Sequence, residues 1–317
     1  MTPISANSVL GLWPEARGGS ATLLNHSENH TFRIDRTDGA RFILRVHRPG
    51  YQSAATIESE LEWLSALRRD TDLILPQPLP GADGRLLQLL APAGEPSRYG
   101  VLFAHERGRE PRPNDDLGQL FERLGGLAAK AHLHAMGFQP SPGFTRQVWT
   151  AGAILNADGL WGDWRAAPHV QGETAEVLAA LDQRLRTELA VYGQGHDRFG
   201  LIHADMRLAN LLVQDDRIVL IDFDDCGFCW FMYDFAASIS FFEQSPEVPA
   251  LRERWIRGYT AIRALSAVDL AMLDAMVLLR RMALLAWIGS HHETDLARAH
   301  APDFARVTAE LARAYLG

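Results

Sequence analysis

Apolar and polar positions along the first hundred residues change with the short period of strands. Residues 20–24, 30–34 and 41–46 read as three strands, and the Thr37-Asp38-Gly39 turn joins the second to the third. Residues 56–69 switch to helical spacing, with Ile57, Leu61, Leu64 and Leu67 on one face. Pro76, Pro78 and Pro80 interrupt the chain, and residues 85–90 and 99–104 read as two further strands. Beyond Gly108 the pattern becomes helical. Leu117, Leu120, Phe121, Leu124, Leu127, Ala128 and Ala131 define a broad apolar face over 115–136, and 173–192 forms a second helix. Three short strands at 200–202, 211–213 and 218–221 follow, the last two around an Asp215-Asp216 turn. Helices near 251–263, 267–290 and 301–315 close the chain. The order predicts an α+β protein with a small β-rich lobe over 1–104 and a larger, mainly helical lobe over 105–317. A cleft between such lobes is the expected ligand site.

Bulk properties narrow the function classes. The chain has 317 residues, 47% hydrophobic and 22% charged, as expected of a water-soluble protein. A net charge of −8 lacks the basic footprint of a nucleic-acid partner. The longest apolar stretch, 272–288, is broken by Asp274, Arg280 and Arg281, so no membrane partner is expected. The N-terminus has no signal-peptide pattern, and two cysteines make no disulfide scaffold, so a cytoplasmic location is expected.

The candidate chemistry lies in the stretch His203-Ala-Asp205-Met-Arg207-Leu-Ala-Asn210, followed by Asp222 in Ile221-Asp-Phe-Asp-Asp225. An acid, an amide five residues later and a second acid twelve residues beyond that supply what phosphoryl transfer from ATP requires. One carboxylate orients the attacking hydroxyl, while the amide and the other carboxylate hold magnesium on the phosphates. A short hairpin between Asn210 and Asp222 brings both back beside Asp205. A lone His-x-Asp would be a satisfied core histidine beside a turn aspartate; the spacing and the flanking apolar strands set this stretch apart.

These motifs resemble those of the protein-kinase-like superfamily, in the form closest to the aminoglycoside phosphotransferase and choline kinase branch, over roughly 23–287. Within that branch, Asn25-His-Ser-Glu-Asn29, residues 41–49, the 222–225 acidic run and Leu279-Arg-Arg-Met282 with Trp287 are similar to bacterial stress-response kinase A and type II homoserine kinases. The resemblance implies a two-lobed kinase-like fold, ATP and Mg²⁺ as cofactors, and a hydroxyl acceptor on a small metabolite or a protein Ser/Thr residue. It makes Asp205 the catalytic-loop aspartate, Asn210 and Asp222 the metal ligands, His203 mainly structural and Asp234 a brace for the catalytic-loop backbone. Arg207 stands where protein kinases often place a lysine directed at the γ-phosphate; the alternative is a solvated loop arginine.

The chain departs from that family's pattern at two places. Arg45 occupies the position of the usual phosphate-binding lysine, and its expected partner is Glu60, with Glu58 or Glu62 as alternatives in another register. No glycine-rich loop is present. Ser27-Glu28-Asn29 stands in its place, so Ser27 and Asn29 are candidate phosphate contacts. Residues 103–106, including Phe103 and His105, form the expected adenine-binding link. Asp224 is expected to be a solvated loop carboxylate and Trp230 a candidate wall of the substrate pocket. Two other function classes remain open: a nucleotide-binding pseudokinase acting as a scaffold, and a redox module on Cys226-Gly-Phe-Cys229.

Overall fold

The computed structural model describes residues 6–26, 29–92, 94–112 and 115–317. By packing the chain forms two compact units, one of Met1–Glu110, Gln139–Arg146 and Leu211–Asp224, the other of Pro111–Phe138, Gln147–Asn210 and Asp225–Gly317. Where the sequence reading places a single boundary after residue 104, this grouping is discontinuous, with segments 139–146 and 211–224 packing in the first unit.

The first unit is built on an antiparallel sheet of β1 (Ser20–His26), β2 (His30–Asp35), β3 (Arg41–Val46), β4 (Pro78–Leu79), β5 (Gln88–Leu90) and β6 (Arg98–Ala104). The order is β1-β2-β3-β6-β4, with β5 also pairing with β6. Strand β3 is central, its Arg45 opposite Thr31 on β2 and Val101 on β6. Only the end of the strand expected over 85–90 joins the sheet. Two short 3-10 helices, Ala6–Leu12 and Pro14–Ala16, bury Val9, Leu10 and Trp13 against Ile34, Leu44, Val46 and Leu102. They carry too few residues for a helical period to show in the sequence.

Helix α1 (Ala54–Asp70) begins where the Ser53 side chain accepts the Thr56 N–H and ends with Arg68 and Arg69 near the negative end of its dipole. Ile57, Leu61, Leu64 and Leu67 are buried as the spacing requires, and Glu60 is buried with them. Residues 139–146 join this unit through α1. Ser141 donates its N–H to Glu62 at 2.7 Å, and the Thr145 N–H reaches Ser59 Oγ at 2.9 Å. The hairpin of Leu211–Gln214 and Arg217–Leu220 joins through a backbone bridge between Arg109 and Val213. Gly108, at φ +139°, makes that approach possible, since a Cβ there would lie 2.9 Å from Leu212.

The second unit carries helices α2 (Leu117–Gly137), α3 (Ala151–Leu155), α4 (Gly172–Tyr192), α5 (Tyr233–Ser238), α6 (Val248–Thr260), α7 (Ala267–Ala271), α8 (Leu273–Ser290) and α9 (Asp295–Leu316). A small ladder places Gly227–Trp230 between Phe199–Ile202 and Gln147–Val148. The helix expected over 267–290 is two helices: a capping box of Ser266 and Asp269 starts α7, and the chain turns at Met272. The last helix starts earlier than expected, capped by Thr294, and runs through Pro302. Helix α8 is buried on nearly every side, including Arg280 and Arg281. No helix among the described residues is long and apolar enough to cross a membrane.

Helices α2 and α6 approach backbone to backbone at Gly125, where a Cβ would lie 2.0 Å from the Trp255 carbonyl oxygen. At the adjacent Gly126 the nearest atom is the flexible Ile262 Cδ1, 3.4 Å away. Gly125→Ala is expected to cost about 1–3 kcal/mol by overpacking. Gly126→Ala is expected to be neutral or to gain up to ~1 kcal/mol from helix propensity. Chemical denaturation of the two variants checks this, and equal effects would contradict the close crossing.

Candidate active site

The strand Phe199–Ile202 leads into a loop whose backbone is fixed from below. The Asp234 carboxylate, fully buried at the start of α5, accepts the His203 N–H at 3.2 Å and the Ala204 N–H at 2.8 Å. His132 on α2 lies 3.0 Å from the same carboxylate through Nε2 and 3.0 Å from the Tyr259 hydroxyl through Nδ1. Burial pushes the His132 pKa down against the opposing pull of Asp234. A neutral ring with its proton on Nε2 therefore suits both contacts. Asp234 thus occupies the bracing place that the sequence reading gave it. Ala204 takes φ +67°, a left-handed conformation rare for a residue with a Cβ, which the two backbone hydrogen bonds help to hold.

This loop presents Asp205. Its Oδ1 pairs with Arg280 Nη2 of α8. Its Oδ2 accepts from Arg207 Nε at 3.1 Å and Asn210 Nδ2 at 2.7 Å. Burial alone would raise the Asp205 pKa, but Arg207 and Arg280 outweigh it and hold the group near 2. Asp205 is therefore an ionised acceptor at neutral pH. Such a carboxylate orients a hydroxyl and takes its proton only as the phosphorus–oxygen bond forms. Arg207 touches Asp205 and is no free loop residue.

In the first unit, Arg45 Nη2 donates to both oxygens of Glu60, at 2.6 and 2.8 Å, settling the choice among the acids of α1. Glu58 pairs instead with Arg85, and Glu62 holds Ser141. Burial works against the charge of Arg45, yet Glu60, Asp224 and Asp222 keep it cationic. Complete burial pushes the Glu60 pKa up, with Arg45 opposing through the two contacts of its Nη2. The guanidinium lies 5.3 Å from the Phe103 ring centre, and Nη1 is 3.4 Å from Asp222 Oδ1. Arg45 Nε is buried with no hydrogen-bond partner among the described residues. Asp222 follows the hairpin at φ +62°, with 49% of its side chain exposed.

The remaining candidates sort as follows. Asn29 is buried and donates to Asp224 Oδ2 at 2.9 Å while accepting the Arg48 N–H. Ser27 lies outside the described residues. His105 lies just past β6, partly exposed, its pKa lowered by partial burial and by Arg41 and Arg33. Asp224 is not the solvated carboxylate expected. It is 4% exposed, and burial, which would raise its pKa, is overcome by Arg45, His47 and Arg146. Trp230 is no pocket wall but a core residue, donating to the Gly193 carbonyl at 2.7 Å. The redox reading of the two cysteines also fails. Neither is in a disulfide, both are buried, Cys229 lies in the strand Gly227–Trp230, and burial raises its thiol pKa well above the ordinary value.

Arg280 is the residue that sequence reasoning missed. Its signal was an arginine inside a helix that is apolar on nearly every side, a placement that needs a buried partner.

Leu211 pairs with Leu220 in the hairpin, so Asn210 and Asp222 lie one and two residues beyond the same rung. Among the described residues no group of three or more His, Cys, Asp or Glu side chains forms a metal cage. An amide oxygen and a carboxylate are the sparse, hard donor set that suits Mg²⁺, which takes its other ligands from water and phosphate.

The sequence profile of the phosphotransferase enzyme family matches residues 20–271. The structure of a microcompartment-associated aminopropanol kinase superposes with a TM-score of 0.90 and 39% identity, covering 98% of this chain and 96% of that one. Amicoumacin kinase of Bacillus subtilis (strain 168) is 24% identical over 283 residues, 86% of this chain and 80% of its own. Amicoumacin kinase hAmiN, solved with AMP-PNP, Ca²⁺ and Ami, shares the fold at a TM-score of 0.75 and 20% identity, covering 96% and 92%.

His47 yields a test of the buried charge cluster. It is 2% exposed, and its pKa is pushed to about 3, first by burial and then by Arg45, against the pull of Asp224. A folded-state pKa below the unfolded value of about 6.5 means that the unfolded chain binds more protons between the two. Stability from this group is therefore full above pH 6.5 and lost as the pH falls toward 3, roughly 2 kcal/mol by pH 5. Denaturation of wild type and His47→Gln between pH 7 and 5 should show a flatter pH dependence in the variant. Parallel curves would contradict the buried neutral imidazole.

Proposed function

Because the chain belongs to the phosphotransferase enzyme family and is a kinase acting on a hydroxyl group, we propose that it moves the γ-phosphoryl of ATP to a small molecule. The observation that carries this reading is the fixed, ionised Asp205 on the same short stretch of chain as Asn210 and Asp222. Asp205 Oδ2 faces the acceptor hydroxyl and receives its proton as the oxygen bonds to the γ-phosphorus and ADP leaves. Asn210 and Asp222 hold Mg²⁺, which when bound neutralises charge on the phosphate oxygens. Arg45 contributes its Nε–H, which has no partner among the described residues, and its charge to the phosphates, with Glu60 holding the guanidinium in place. Phe103 and His105 belong to the segment that takes the adenine through backbone groups.

The acceptor is best supported as a small amino alcohol. The relative at 39% identity over nearly the whole chain is named for aminopropanol, and the other named relatives for amicoumacin, so small acceptors are favoured over protein Ser/Thr. A fold neighbour solved with AMP-PNP and Ca²⁺ is in keeping with a nucleotide and a divalent cation. The reaction is placed in the cytoplasm, where ATP is supplied.

The experiment is incubation with γ-labelled ATP and Mg²⁺ across a panel of amino alcohols that includes aminopropanol. Asp205→Asn should lower turnover by about a thousandfold or more while leaving Mg-ATP affinity within a few-fold. Near wild-type turnover in that variant would remove Asp205 from the role.

A further inference from the structure

Arg280 lies in α8, seventy-five residues from Asp205 in sequence, and is 2% exposed. Its three donor positions are divided among three places in the second unit. Nη2 pairs with Asp205 Oδ1, Nη1 donates to the Ala204 carbonyl at 3.2 Å, and Nε donates to Ser240 Oγ at 3.1 Å, just past α5. Two aromatic rings flank the guanidinium, Trp161 at 5.3 Å and Tyr233 at 5.8 Å from their centres. A planar fork held on three edges and between two rings has little freedom left.

The two oxygens of Asp205 are therefore not equivalent. Oδ1 is tied to a buried cation. Oδ2 is tied to Arg207, whose side chain is 28% exposed, and to Asn210. We propose that Arg280 is a positioning residue of the phosphotransferase, which locks Oδ1 and the Ala204 carbonyl so that Oδ2 alone meets the acceptor. Arg207 is then the contact that yields when the acceptor arrives. The inference rests on the kinase reading above, but concerns a residue outside the Asp205, Asn210 and Asp222 set.

Lysine cannot substitute fully. Its ammonium is a single point on a flexible stem and does not present three coplanar donors to Ser240, Ala204 and Asp205 together. An ångström of freedom at a reacting group is worth about a hundredfold in rate. Arg280→Ala is thus expected to lower kcat about a hundredfold, with the KM for ATP changed less than threefold. Arg280→Lys should fall between it and wild type. Added guanidinium ion, which carries the planar donor group that Arg280→Ala removes, should restore part of the Arg280→Ala rate and none of the Arg280→Lys rate.

The test measures ADP release by wild type and both variants with the amino alcohol that wild type turns over fastest, with and without guanidinium chloride below denaturing concentration. A crystal structure of Arg280→Lys, whose retained charge and bulk favour folding, reads the position of the Asp205 carboxylate directly. A kcat-specific loss, with Asp205 displaced while the Asp234 hydrogen bonds to His203 and Ala204 persist, supports the proposal. Wild-type kcat in Arg280→Lys and Arg280→Ala, or an unmoved Asp205 in the Lys variant, overturns it. An inactive wild type would count against the kinase reading instead, and the position of Asp205 in the variant crystal would still decide the role of Arg280.

Discussion

The loop that carries the candidate chemistry depends on one buried carboxylate. Asp234 has no solvent, so its oxygens must be met by donors, and the donors it finds are the His203 and Ala204 backbone amides and the His132 ring. Meeting that requirement helps to hold Ala204 at a positive φ and fixes where Asp205 leaves the backbone. Arg280 closes the same loop from the other direction through the Ala204 carbonyl and Asp205 Oδ1. Each buried group is tolerated because the other polar atoms of the loop complete its hydrogen bonds, so the loop is fixed as a unit rather than residue by residue.

The first unit obeys the same rule with opposite charge. Arg45 is an arginine where a lysine is usual, and its fork takes Glu60 with one nitrogen while directing another toward Asp222. Asp224 then balances Arg45 and Arg146 beside the buried, neutral His47. A lysine at 45 would present one ammonium in place of these separate contacts. The arginine therefore goes with the buried acids around it, and the Asn29 side chain donates to one of them, Asp224.

Much of this was legible in the sequence. The strands, α1 and α2 followed from period, and the proposed site residues Asp205, Asn210 and Asp222 were picked out by spacing, because neighbours in sequence set both. Glu60 was legible as well, since helical spacing puts it on the buried side of α1. The partners of Arg280 and the burial of Asp224 were not legible, because both depend on residues dozens to hundreds of positions away. Nor was the close crossing at Gly125, or the way Ser141 and Thr145 return to α1. Trp230 was misread for a related reason: nearness in sequence to Asp222 says nothing of where a ring packs, and the ladder with Phe199–Ile202 carries it into the core.

The proposed function turns on Asn210 and Asp222 each being a ligand of the metal–nucleotide complex. The most direct measurement is Mn²⁺ affinity in the presence of AMP-PNP, read by electron paramagnetic resonance, for wild type, Asn210→Ala and Asp222→Ala. The account predicts that nucleotide-dependent Mn²⁺ binding weakens in both variants, while each remains folded by circular dichroism. Unchanged Mn²⁺ affinity in Asp222→Ala would contradict it.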